Sequence, residues 1–89
     1  MTNADFEKLV DTSDEWIVSR TGIRERRIAS DGITGSDMAV EACKKALEMA
    51  GCPNEDVELL VLATVTPDYR LPSNACVVQE KMGLPNAAA

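Results

Sequence analysis

Thr12, Trp16 and Arg20 recur at i, i+4 spacing. On a helix such positions share a face, so a hydroxyl, an indole plane and a guanidinium would be stacked along one edge. That set suits a nucleotide. An aromatic plane stacks on a base, a hydroxyl hydrogen-bonds the base edge, and a guanidinium grips phosphate through two parallel N–H bonds where lysine would be a point charge. A plainer reading packs Trp16 in the core beside Ile17, leaves Thr12 as a helix cap and Arg20 as a solvated charge, and spacing alone favours it.

Other residues carry weaker chemical signals. The run Arg20-Thr21-Gly22-Ile23-Arg24-Glu25-Arg26-Arg27 concentrates basic side chains in an otherwise acidic chain. A phosphate or an acidic protein would suit it, but an ordinary solvated segment with arginines paired to Glu25 is the commoner arrangement. Cys76 falls in the first turns of a helix, where the macrodipole favours a thiolate. Its neighbours Ala75, Val77 and Val78 are apolar and the chain contains no histidine, so it reads as a packing residue. Cys43 and Cys52 read the same way. The missing histidine also excludes a Cys-His or Ser-His pair and an imidazole metal site within these residues. Gly32 and Gly35 do not form a dinucleotide-binding fingerprint, and no P-loop is present.

The elements that must position these groups are those of a packed chain. Its 89 residues carry a formal net charge of −6, with 45% hydrophobic and 27% charged residues. Those proportions are globular, and the acidic balance disfavours nucleic acid and anionic membranes as partners. Three cysteines without a C-x-x-C give neither a disulfide framework nor a zinc site, which points to a reducing, cytoplasmic setting. The N-terminus is polar and acidic, unlike a signal peptide, and no apolar run approaches the roughly 18 residues that span a bilayer.

The pattern predicts a short helix between Thr2 and Val10, with Phe6, Leu9 and Val10 at helical spacing. Thr12-Ser13-Asp14-Glu15 has the form of a capping box and opens a second helix that ends at Gly22. Ile23–Ile28 suits a short strand or edge segment. The strongest helix runs from about Gly35 to Ala50, with Met38, Ala39, Ala42, Cys43, Ala46, Leu47 and Ala50 on its apolar face. Leu59–Val65 is apolar without alternation, as in a central parallel strand covered on both faces. A last helix runs from Ser73 to about Met82. The class is α/β. A central strand needs lateral neighbours, and this chain offers at most one, so the sequence is expected to be a piece of a larger α/β protein; a complete small domain is the alternative.

The stretch from Val10 to Arg26, VDTSDEWIVSRTGIRER, resembles β-ketoacyl-acyl-carrier-protein synthase III, the initiating condensing enzyme of type II fatty acid synthesis. The likeness continues through the Ala-rich helix, Leu59–Thr64 and Leu71-Pro72-Ser73-Asn74-Ala75-Cys76, and so covers essentially the whole chain. It implies a thiolase-like fold of two α/β halves in a homodimer, with residues 1–89 as part of the first half. The family's first strand is then expected before Met1, and its nucleophilic cysteine, histidine and asparagine beyond Ala89, so that no catalytic residue is present.

The implied reaction begins when the cysteine thiolate attacks an acyl-CoA thioester. Malonyl-acyl carrier protein then loses carbon dioxide, and its carbanion attacks the acyl-enzyme to give a β-ketoacyl product. Acyl-CoA enters as substrate, and no cofactor or metal is implied. The resemblance assigns Trp16 as a stacking plate for the CoA adenine, Thr12 as a partner of that base, Arg20 as a phosphate contact and Thr21 as a weaker companion. It thereby favours the ligand reading of the helix face over the plainer one. It also implies that Leu71 crosses the dimer interface to shape the partner subunit's acyl pocket, where family members often carry phenylalanine. A related synthase making a quinolone, polyketide starter or long-chain ketone is a second reading. A noncatalytic nucleotide-binding module is a third.

Overall fold

The computed structural model describes all 89 residues. Its chain divides into two compact units, Met1–Ser30 and Asp31–Ala89.

In the first unit, helix α1 spans Asn3–Phe6. Thr2 caps it in a reciprocal box with Asp5, satisfying two amides that the helix itself leaves open. Turns continue to Val10, but Leu9 and Val10 are exposed, so the expected apolar stripe of this helix does not form. Asn3 is its buried residue, at 2% exposure. Helix α2 spans Asp14–Thr21 and ends at Gly22 in the left-handed region, with φ of 71°. Its cap is Ser13, whose hydroxyl accepts from the Trp16 amide at 3.1 Å. The expected Thr12–Glu15 box is therefore corrected by one position. Ser13 has the extended backbone that a cap requires, and Thr12 precedes it outside the helix. The segment after Gly22 forms a single antiparallel bridge, Thr2 with Glu25, rather than a strand.

In the second unit, helix α3 spans Gly35–Ala50 and helix α4 spans Asn74–Met82. Thr34 and Asp37 form the capping box of α3, and Gly51 closes it at φ of 62°. Ser73 caps α4, and Gly83 ends it. Val40, Val78, Met82, Leu84 and Ala87 form the core, flanked by half-buried Ala39, Cys43, Leu47, Val57, Leu60 and Leu62. Burying one such aliphatic side chain stabilises by roughly 1.5–3 kcal/mol. Met38, Ala42, Ala46 and Ala50, assigned to the apolar face by spacing, are exposed, whereas Val40 is buried. Apolar residues ring too wide an arc of α3 for periodicity to choose a face, and packing against α4 selects the stripe Ser36, Val40, Cys43 and Leu47.

Leu59–Val65 departs from the buried central strand. Only Leu59 pairs, in a parallel bridge with Ala88, through Leu60 N–H to the Ala88 carbonyl at 2.8 Å and Ala88 N–H to the Glu58 carbonyl at 2.9 Å. Leu60 and Leu62 face the core, while Leu59, Val61 and Val65 are 65%, 78% and 96% exposed. A strand covered on both faces needs lateral and opposite partners, and these residues supply a cover for one face only.

Candidate functional site

Asp11, Thr12, Ser13 and Trp16 line a cleft of about 360 Å³ at the start of α2. The Ser13 cap fixes the first turn, so the Trp16 backbone is set by a directional bond. Ile17 is the buried residue of α2, and its neighbour Trp16 is 54% exposed. The helix thus seals one side chain and leaves the indole accessible. One turn on, the Arg20 guanidinium lies over the ring, 5.1 Å from its centroid, within cation–π range. It makes no ion pair, which leaves its N–H groups available to an anion.

Three of the residues singled out by sequence are thus contiguous. Thr12 forms the half-buried wall of the cleft, Trp16 its plate, and Arg20 the charge against that plate. Thr21 is not brought into the cleft wall. Its hydroxyl donates to the Ile17 carbonyl at 2.7 Å and accepts from Ile23 N–H at 3.1 Å, so it serves the end of α2. The basic run disperses as well. Arg26 turns inward over the Phe6 ring at 4.9 Å, Arg27 lies 3.5 Å from Glu25, and Arg24 is exposed.

Sequence reasoning missed what holds the site in place. Asn3 Nδ2 donates to Asp14 Oδ1 at 2.7 Å and to the Ile23 carbonyl at 2.9 Å, while its Oδ1 accepts from Arg26 Nη2 at 2.7 Å. Glu7 Oε1 accepts from the Asp14 amide at 2.6 Å. The weak signal for Asn3 was a polar residue in a first turn, where it competes for backbone bonds rather than favouring a helix.

In the second unit, Leu71 is 88% exposed on the loop that leads into α4. That loop is clipped at Asp68. The Asp68 carboxylate accepts from Ser36 N–H and Asn74 Nδ2, each at 3.2 Å, and its own amide donates to Asn74 Oδ1 at 3.1 Å. Hydrogen bonding from the Ser36 side chain, opposed by burial and joined by Asn74, holds the Asp68 carboxyl at about 2. Lys81 Nζ donates to Ser36 Oγ and Asp37 Oδ1, both at 2.7 Å. This Lys81 bond, with those from Thr34, sets Asp37 at about 2, and Asp37 in turn raises Lys81 above 10.5. Cys76 is half-buried, with its sulfur 3.2 Å from the Ser73 hydroxyl, and has no base beside it. A larger groove of about 680 Å³ lies by Leu47, Gly51, Pro53 and Met82. Its Asn54 amide donates to the Met82 carbonyl and its Lys44 pairs with Glu41, so no set of free polar groups converges there.

No protein-family model matches the chain. Against curated proteins it is 62% identical, over its whole length, to β-ketoacyl-[acyl-carrier-protein] synthase III 1 of Bacillus anthracis, covering 29% of that protein. Among solved structures, 3-oxoacyl-[acyl-carrier-protein] synthase III of Aquifex aeolicus matches the whole chain at 49% identity and a TM-score of 0.75, over 29% of its own length. The priming β-ketosynthase of the R1128 polyketide pathway matches 99% of the chain at 35% identity and a TM-score of 0.75, over 26% of its length. The chain therefore spans under a third of the relatives it matches, as part of a thiolase-like α/β fold. By sequence and by fold, these residues belong to the β-ketoacyl-[acyl-carrier-protein] synthase III family.

Proposed function

We propose that these residues work within a longer condensing enzyme that joins an acyl-CoA primer to malonyl-acyl carrier protein with loss of carbon dioxide, and that α2 supplies its CoA-adenine site. The observation that carries this reading is the exposed Trp16 plate with the Arg20 guanidinium against it, beside the Thr12 wall. Adenine stacks on the indole, Thr12 bonds the base edge, and Arg20 meets a CoA phosphate. Thr21 contributes through the helix end that it ties. The cysteine, histidine and asparagine that carry the chemistry belong to other residues of that enzyme, which acts as a cytoplasmic homodimer with acyl-CoA as substrate and no resident cofactor. The bare face of Leu59, Val61 and Val65 supports burial against further chain, since exposed apolar surface of that kind marks a contact.

Leu71, projecting from its clipped loop, shapes the partner subunit's acyl pocket and admits branched or somewhat longer primers. Leu71→Phe in the full-length enzyme narrows that preference toward short primers, and an unchanged preference refutes this role.

Trp16→Ala in the full-length protein tests the site. One lost base–aromatic stack is worth about 1–3 kcal/mol, so the CoA dissociation constant rises by roughly fivefold to a hundredfold. Unchanged affinity would sink the assignment. Isolated residues 1–89 separate the longer enzyme from a free-standing nucleotide module: size-exclusion chromatography and circular dichroism show an aggregated or molten chain in the first case, and a folded CoA-binding monomer in the second.

A further inference from the structure

The structure assigns Asn3 as a positioning residue for the nucleotide plate of α2, an assignment that rests on the CoA reading of Trp16 and Arg20. One buried carboxamide bridges both ends of that helix. Its Nδ2 reaches Asp14, the first residue of α2, and the carbonyl of Ile23, just past the Gly22 cap. Its Oδ1 is held by Arg26, whose guanidinium also lies over Phe6 of α1. The orientation of the amide is dictated by its neighbours, because Asp14 and the Ile23 carbonyl can only accept and Arg26 can only donate. Asn3 itself is 2% exposed, so its carboxamide is met by these protein partners rather than by solvent, whereas Trp16 and Arg20 lie on the exposed side of α2. The tilt of α2, and with it the plane of the indole, is therefore set by a side chain that touches no ligand.

Asn3→Asp isolates this role. The carboxylate keeps the acceptor for Arg26, loses both donors, and sets oxygen against oxygen where Asp14 now lies at 2.7 Å. In the full-length enzyme the readout is the KM for acyl-CoA relative to that for the matching acyl-pantetheine, which lacks the adenine nucleotide. Misplacement of a binding plate raises this ratio about tenfold. The double variant Asn3→Asp/Asp14→Asn restores a bond between the two positions with its direction reversed, and recovers part of the loss. An unchanged ratio overturns the assignment, whether neither KM moves or both rise equally, the latter indicating general damage. Trp16→Ala is the control: if it raises the acyl-CoA KM while Asn3→Asp does not, only the assignment to Asn3 falls. If Trp16→Ala also has no effect, the CoA reading falls and this assignment with it.

Discussion

The residue that ties Met1–Ser30 together is a carboxamide, whereas the largest fully enclosed side chain of Asp31–Ala89 is Val78, at 0% exposure. The first unit buries one large apolar side chain, Ile17, and the second buries a cluster around Val40, Val78 and Met82. Apolar burial is non-directional and fixes volume, while hydrogen bonds fix angles and contribute little net energy. In the first unit the second kind of order holds the ends of α2, the helix that carries the exposed indole. In the second unit the first kind packs α3 against α4 beneath Leu60 and Leu62.

The strongest way to break this comparison is Val78→Asp. An unpaired charge in the core of the second unit costs on the order of 4 kcal/mol or more, measured, like the substitutions below, by urea unfolding of the full-length protein. Asn3→Ala comes next, at about 2 kcal/mol, because the Ile23 carbonyl, Asp14 and Arg26 all lose a partner. If it costs less than Ser13→Ala, the first unit is not organised around Asn3. Ser13→Ala removes the α2 cap at about 1 kcal/mol, while Thr12→Ala stays within about 0.5 kcal/mol. The reverse order would reinstate the cap at Thr12.

The smallest effect at neutral pH is electrostatic. Asp37 and Asp68 fall from an ordinary 3.8 to about 2 in the folded state, so they stabilise it above 3.8 and lose that contribution as pH falls toward 2. Asp68→Asn flattens the denaturation midpoint across that acid window. An unaltered slope would mean that the clip carries no linkage.

What the sequence made legible was local. The glycines at the ends of α2, α3 and α4 and the apolar run of α4 are decided within a few residues, and each lies where expected. The helical spacing held for Trp16 and Arg20, which meet on α2, while Thr12 reaches the cleft from outside that helix. Asn3 and Asp68 were not legible because their partners lie far along the chain, at Ile23 and Arg26 for one and Ser36 for the other. The cap slipped by one residue because Thr12 and Ser13 are both good caps, and backbone conformation chooses between them. Leu59–Val65 failed as a buried strand for a different reason: its pattern describes an environment that these residues do not themselves provide.

Each unit carries its own ultraviolet chromophore. Trp16 is the only indole of the 89 residues and Tyr69 the only phenol, and they fall on opposite sides of the boundary at Ser30. Emission from the indole of residues 1–89 therefore reports the region of α2 alone, and phenol absorbance reports the region of the Leu71 loop. Loss of order in either half can be followed optically, with no label attached.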